Sequence, residues 1–150
     1  MEVRRLEQVY LEGPSQFFIV RRESDYKSNI MDASGNFIFN EWHTGIKHDV
    51  AIFFKDGKWH IRGLIQNSKG KFNVFREDGS LVFNEWFDFV FYSIHNEFSI
   101  YEVLRVGGYH VKYINFVDDS GKFLLDEWIK DDEAESYKKK YGLVQYWTKT

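Results

Sequence analysis

Short apolar runs separated by turn residues are the dominant pattern along this chain. Runs of this length between turns predict β-strands rather than helices. The predicted strands cover residues 17–21, 50–54, 58–64, 98–106 and 109–117. Asp56 and Gly57 lie between two of these runs, and Gly107 and Gly108 lie between two others. Because such dipeptides favour tight turns, the pattern predicts a succession of antiparallel hairpins.

One of these strands, at residues 58–64, begins with a clear alternation. In it Trp59 and Ile61 alternate with Lys58, His60 and Arg62. Successive side chains of a strand point to opposite faces of a sheet. We therefore expect one buried face and one wet face here, with Arg62 on the wet one.

Three segments of the chain align with one another without gaps, at residues 29–42, 73–86 and 115–128. Their tryptophans, Trp42, Trp86 and Trp128, recur after 86 − 42 = 44 and 128 − 86 = 42 positions. An asparagine begins each segment, a glycine lies at its middle, and a Glu-Trp pair ends it. Self-similarity at a fixed period is the signature of a repeat architecture, so the chain is predicted to contain three structural repeats.

Each repeated segment has apolar residues, a polar turn closed by glycine, and then an apolar triplet, which predicts strand, tight turn and strand. Glycine adopts the left-handed conformation that such a turn needs, and Asp32 and Asp118 are placed to bond the turn backbone. The triplets 37–39, 81–83 and 123–125 do not alternate with polar residues. Both faces of these strands are therefore expected to be covered, as in stacked units.

The end of the chain carries the one predicted helix. Residues 131–142 begin with acids, continue with lysines and finish at Gly142, an order that complements the helix dipole and supplies both caps. We interpret this helix as the terminal cap that a stack of repeats needs. Residues 143–147 are predicted to form a last strand.

The predicted fold is all-β, with three β-hairpin repeats in series and one C-terminal capping helix. The repeats form either an open stack or an array that curls into a partly open barrel or a propeller. We expect a single domain over residues 1–150. Its repeat units cover about 17–46, 50–90 and 98–130, and its cap covers 131–150.

At the repeated turn the chain resembles WG-repeat (KWG-type) proteins. The resemblance rests on residues 115–122 (NFVDDSGK), on 126–128 (DEW) and on 55–59 (KDGKW), and it extends over about residues 26–130. Trp59 is followed by His60 rather than by the glycine of the family pattern. Proteins of this type occur in bacteria and their phages. The resemblance implies short β-hairpin units packed in series, and it implies no catalytic residue.

Composition and charge narrow the classes of function. Hydrophobic residues make up 43% of the 150 residues, enough for a core, and the aromatic share is 19%. The net charge of −3 gives no long-range attraction to nucleic acid or to anionic membranes, so we expect neither as a partner. Without cysteine there is no thiolate metal site. No apolar run of signal-peptide type occurs, which favours a cytoplasmic location, with a virion-associated one as the variant.

No motif for catalysis or metal binding stands out, so we expect no enzyme, no metal and no cofactor. Glu41, Glu85 and Glu127 recur with the repeat, so we expect them to accept hydrogen bonds from turns rather than to act as acids or bases. The five histidines form no metal-ligand spacing. An enzyme would have to use His43, His48 or His95 from irregular loops.

The first functional hypothesis is a non-catalytic module that binds another protein or itself, as a phage or virion accessory protein in one variant. The alternative is a glycan-binding module that uses exposed aromatic rings. The candidate binding residues are Trp42, Trp86, Trp128, Trp59, Phe89, Phe91 and Tyr92. The repeated tryptophans either fill the gaps between hairpins or form an exposed row that stacks on a ligand.

Overall fold

The computed structural model of the protein describes residues 3–8, 17–47, 50–92 and 99–141, with residues 3–8 described by their backbone alone. In these ranges lie β1 (Val3–Gln8), β2 (Phe17–Arg22), β3 (Ser28–Asp32), β4 (Ala51–Lys55), β5 (Lys58–Gln66), β6 (Phe72–Phe75), β7 (Phe89–Tyr92), β8 (Ile100–Val106), β9 (Lys112–Asp118), β10 (Ile129–Lys130) and one helix, α1 (Glu135–Lys140). The chain divides into two compact units, Met1–Leu81 and Val82–Thr150.

The strands form antiparallel meanders. The first unit contains the sheets β1-β2-β3 and β4-β5-β6, and the second contains the sheet β10-β9-β8-β7. In each sheet the repeat asparagine lies on the third strand of a meander, opposite an apolar residue of the middle strand. These pairs are Val20–Asn29, Ile65–Asn73 and Val103–Asn115. The predicted all-β fold of repeated hairpins is confirmed, and each repeat has one strand more than a hairpin.

The repeated turn has the predicted chemistry. Gly35, Gly79 and Gly121 adopt φ values of +89, +83 and +90°, the left-handed conformation that glycine reaches without steric cost. The Asp32 carboxylate accepts hydrogen bonds from the backbone N–H groups of Ser34 at 3.0 Å and Asn36 at 2.9 Å. Asp118 binds its turn in the same way.

The apolar triplets after these turns are not strands, so that prediction was wrong. Each triplet makes a single bridge back to the preceding strand, through Phe37, Leu81 and Phe123, and the chain then bends. Phe37 is 42% exposed and Phe123 is 38% exposed. The expectation that both faces of these segments are covered was therefore wrong for the first and third triplets, whereas Val82 and Phe83 of the middle triplet are buried.

The repeat asparagine explains why pairing stops after one bridge. The Asn29 side chain is fully buried. Its Nδ2 donates to the Phe39 carbonyl at 3.0 Å, and its Oδ1 accepts the Phe39 N–H at 3.2 Å. Asn115 binds both backbone groups of Leu125 in the same way, at 3.2 and 3.3 Å. An amide side chain therefore takes the place of the next backbone partner.

Successive repeats pack through the turn glycine. A Cβ atom on Gly79 would lie 2.0 Å from the carbonyl oxygen of Ile38 in the preceding repeat, and a Cβ on Gly121 would lie 2.7 Å from that of Val82. Nothing lies within 4 Å of a Cβ on Gly35, the glycine of the first repeat. The turns of the second and third repeats therefore need glycine for close approach as well as for conformation.

Two further predictions need correction. Arg62, expected on a wet face, is buried, because its guanidinium donates to the Glu77 carboxylate and to the Ile61 carbonyl, both at 2.9 Å. Gly107 and Gly108 do not supply the left-handed residues of their turn. Those are Tyr109 and His110, with φ of 59 and 61°, and the strand predicted from residue 109 begins at Lys112.

The C-terminal helix is present but shorter than predicted. A 3-10 turn at Asp131–Glu133 precedes α1 (Glu135–Lys140), and no side chain caps the start of either. Ala134 is buried with Ile114 and Phe116 of the sheet, and the Tyr141 ring lies 5.2 Å from that of Phe116. Gly142 and the strand predicted at 143–147 lie outside the described residues. Among the helices that the structure describes, none is long and apolar enough to span a membrane.

Candidate functional site

The aromatic residues predicted to bind a partner all lie partly at the surface. Each one is half-buried, including Trp42, Trp86, Trp128, Trp59, Phe89, Phe91 and Tyr92. The repeated tryptophans thus neither fill a closed core nor stand free in solvent. Each has a part that a binding partner can reach.

Trp42 belongs to what we call the first aromatic cluster, formed by Arg22, Phe37 and Trp42. The Phe37 ring meets the Trp42 ring edge to face, with centroids 5.1 Å apart. The Arg22 guanidinium lies over the Trp42 ring, 4.8 Å from its centroid. Asp25 holds this guanidinium through two hydrogen bonds, of 3.0 Å to Nε and 2.5 Å to a terminal nitrogen.

Trp128 belongs to the second aromatic cluster, formed by Arg105, Phe123 and Trp128 in the second unit. The Arg105 guanidinium lies 4.3 Å from the centroid of the Trp128 ring. The Phe123 ring lies 5.9 Å from Trp128, edge to face, and the buried Phe87 lies 5.9 Å from it on another side. Arg105 is held by Glu85 at 2.7 Å.

The two arginines occupy the same place in their repeats. Arg22 lies two positions after Val20 on β2, and Arg105 lies two positions after Val103 on β8, where Val20 and Val103 pair with the repeat asparagines. The corresponding residue after Ile65 in the middle repeat is Asn67. The repeat of Trp86 therefore offers no cation at this position, which sets it apart from the other two.

The ion pair with Asp25 holds the Arg22 guanidinium of the first cluster in place. Its hydrogen bond with Asp25 raises the pKa of the Arg22 guanidinium, and the same bond lowers the pKa of the Asp25 carboxyl. A guanidinium over an aromatic face is attracted by the ring quadrupole, by about 0.5–1 kcal/mol at exposed sites. Because Arg22 and Arg105 are already held, a partner that binds them immobilises little further.

The remaining predicted residues form two other aromatic groups. Trp59 pairs edge to face with the exposed Phe54 across the β4–β5 hairpin, with centroids 5.3 Å apart. Phe89 and Phe91 contact each other at 4.7 Å on β7, an edge strand of the sheet as far as the described chain shows. Tyr92 of the same strand lies 6.2 Å from the buried Tyr101, edge to face.

Glu77 collects three basic side chains in the first unit, a cluster that the repeat alignment does not reveal. Arg62 lies 2.9 Å, His60 3.2 Å and Lys58 3.8 Å from the carboxylate. Burial alone raises the pKa of Glu77, but backbone N–H donors, including that of Ile61, and the charges of Arg62 and His60 outweigh it and lower the pKa. The network explains how Arg62 of β5 can be buried.

The second unit also buries a carboxylate beneath the cap. Glu102 on β8 is 1% exposed, and its Oε2 lies 3.3 Å from the Lys138 ammonium of α1. Its Oε1 has no hydrogen-bond partner among the residues that the structure describes. Burial raises the pKa of Glu102, and the attraction of Lys138 only partly opposes this. This pair links the helix to the sheet.

The repeated glutamates are exposed, and two of them lack the hydrogen bonds to turns that we expected. Glu85 pairs with Arg105, whereas Glu41 and Glu127 accept no hydrogen bond within the described chain. His43 packs edge-on against Phe39 at 4.8 Å, and burial lowers its pKa. Of the other loop histidines considered for an enzyme, His48 and His95 lie outside the described residues. The described ranges bring no three potential metal ligands together.

Sequence comparison alone could not find Arg22 and Arg105 as site residues, although the gapless alignment does match Phe37 with Phe123. The stretch from Arg22 to Asn29 is three residues shorter than that from Arg105 to Asn115, so a gapless alignment does not match the arginines. Strand register supplies the missing signal. Comparison with protein-family models, with curated proteins and with solved structures finds no match for this chain.

Proposed function

We propose that this protein is a non-catalytic β-repeat module that binds another protein through its two aromatic clusters. The supporting observation is the Arg–Trp–Phe arrangement at the same place in the first and third repeats, with Phe37 and Phe123 exposed beside a half-buried tryptophan. Tryptophan and arginine carry much of the binding energy at protein interfaces. Rings and cations that are held in advance lose little entropy on binding.

A protein partner explains this geometry better than a glycan does. A sugar stacks on the open face of an aromatic ring, whereas a guanidinium lies over the ring of Trp42 and over that of Trp128. A protein partner can use the same guanidinium through a bidentate bond to a carboxylate. Glycan binding is the alternative hypothesis, and binding on a glycan array that is lost in Trp42→Ala and Trp128→Ala would replace our proposal.

Site-specific photocrosslinking tests the proposal. A benzophenone amino acid in place of Phe37 or Phe123 is expected to crosslink the same discrete protein in the cells from which the chain comes. The control carries the benzophenone at Glu133, an exposed residue of the cap. Arg22→Gln combined with Arg105→Gln should reduce the crosslink. The same crosslinks from the control position, or none from the cluster positions, would contradict the proposal.

The partner can also be a second copy of this chain. Size-exclusion chromatography with light scattering tests this variant, and a strict monomer at high concentration would remove it. We place the function in the cytoplasm, with association with a virion as the variant, and fractionation of the source cells tests that placement.

A further inference from the structure

Two hairpin tips hold bulky residues in a conformation that glycine normally occupies. Tyr26, between β2 and β3, has φ of 59°, and Tyr109 and His110, between β8 and β9, have φ of 59 and 61°. The tip of the middle repeat, between β5 and β6, has Gly70 at φ of 79°. The middle tip thus shows the residue that the turn itself favours.

The two tyrosines gain little from packing in return. Tyr26 is 69% exposed and Tyr109 is fully exposed. A left-handed L-residue weakens folding by about 5- to 30-fold in the equilibrium constant. The one ring contact of Tyr26 in the described residues is with Arg21, whose guanidinium lies 5.2 Å from the ring centroid. Glycine or asparagine normally occupies such turn positions. Tyrosine there costs stability that packing does not return, which indicates a role outside folding.

Cations lie at both tips. Residues 21–27 contain three basic and two acidic side chains, of which Arg22 and Asp25 pair with each other. Of the two basic side chains in residues 105–113, Arg105 is paired with Glu85, which leaves Lys112. Arg21, Lys27 and Lys112 make no ion pair in the described part of the chain. The tips therefore favour an acidic partner.

We propose that Tyr26 and Tyr109 are anchor residues that pack among apolar and acidic side chains of a protein partner. This inference rests on the proposed function and identifies the chemistry of the partner. Tyrosine offers a large contact area with only two side-chain torsions to fix, and the neighbouring cations complement carboxylates of the partner.

Glycine variants of the two tyrosines remove the ring and the backbone strain at once, so an effect on binding can be distinguished from an effect on stability. The double variant Tyr26→Gly, Tyr109→Gly is expected to melt no lower than the wild type, because glycine relieves the left-handed strain. A residue with a purely structural role would lower the melting temperature when removed. Phe54→Thr is the control, since it removes an exposed aromatic ring from a different hairpin.

The test is selection of short random peptides by display on the wild-type protein. Peptides with Asp or Glu beside apolar residues are expected to be enriched. They should bind Phe54→Thr as they bind the wild type, and should bind the double glycine variant about tenfold more weakly, a loss of about 1.4 kcal/mol. Enrichment without acids, or equal binding by the double variant, would overturn the inference.

The same peptides distinguish this inference from the proposed function. Peptides that need Trp42 and Trp128 but not the tyrosines would leave the proposed function standing and overturn the inference. A selection that enriches no peptide would count against both. Tyrosine-dependent binding of single-stranded DNA or of phosphatidylglycerol vesicles would show that the acidic partner is not a protein, which would also overturn the inference.

Discussion

Alanine in place of Gly79 is expected to destabilise the protein much more than alanine in place of Gly35, although both glycines occupy the same turn of successive repeats. Their φ values of +83 and +89° are alike, so the backbone cost of an L-residue is alike, about 1–2 kcal/mol. Their surroundings differ. A Cβ on Gly79 would lie 2.0 Å from the Ile38 carbonyl oxygen, whereas a Cβ on Gly35 meets nothing within 4 Å.

The geometry sets the size of the difference. Ordinary Cβ contacts begin at 3.4 Å, so the turn of the second repeat or the chain at Ile38 has to move by 3.4 − 2.0 = 1.4 Å. Overpacking of this kind costs about 1–3 kcal/mol. We expect Gly35→Ala to lower the free energy of unfolding by about 1 kcal/mol, because a less flexible unfolded chain offsets part of the strain. Gly79→Ala should lower it by about 2–4 kcal/mol.

Urea unfolding followed by tryptophan fluorescence measures both variants in the same unit, which contains both glycines together with Trp42 and Trp59. For a chain of this size each kcal/mol corresponds to about 2–4 °C in melting temperature. Asparagine tolerates the left-handed conformation, so Gly35→Asn should be nearly neutral while Gly79→Asn stays destabilised. Equal losses for the two alanine variants would refute packing between repeats as the reason for Gly79.

Three other predictions concern buried polar groups. Asn29→Ala should lower the free energy of unfolding by about 2–4 kcal/mol, since two buried backbone groups lose partners that are worth about 1–3 kcal/mol each. Urea unfolding measures this, and the exposed control Asn36→Ala should change it by less than about 0.5 kcal/mol. The folded pKa of Glu77 is lowered from 4.5, so its contribution to stability is present above pH 4.5 and is lost as pH falls through the folded value. The advantage of the wild type over Glu77→Gln should therefore shrink in acid, as urea unfolding at a series of pH values would show. The folded pKa of Glu102 is raised from 4.5, so its contribution is present below pH 4.5 and is lost as pH rises through the folded value. The wild type should gain on Glu102→Gln as pH falls, and slopes of the same sign for the two glutamates would contradict this account.

The sequence predicted the parts of the fold that depend on local chemistry. Turn glycines, the aspartates that bind the turns and most strand runs follow from conformation and hydrogen bonding within a few residues. The apolar triplets were wrongly predicted as strands because an apolar run does not show which groups bond its backbone. In the first repeat that group is the Asn29 side chain, ten positions before Phe39, and no rule of periodicity reveals such a bond.

The candidate site was predictable only in part, since the tryptophans and their phenylalanine neighbours align between the repeats but the arginines do not. The repeated Trp42 and Trp128 could be found by alignment, whereas Arg22 and Arg105 are matched only by strand register. The burial of Arg62 was also not predictable from the repeat alignment. Its burial depends on Glu77, a residue of the repeated turn whose equivalents are Ala33 and Asp119, so alignment with the other repeats hides it.

The positions that recur in all three repeats fall into two groups with different physical explanations. The asparagines are buried and hydrogen-bonded, and Gly79 and Gly121 pack against the preceding repeat. Folding accounts for both. The Glu-Trp pair is different, because its glutamates are exposed and its tryptophans are only half-buried. Most other positions have diverged between the repeats, so a pair that recurs at the surface is what contact with a partner would produce. This recurrence supports the proposed function without reference to the arginines.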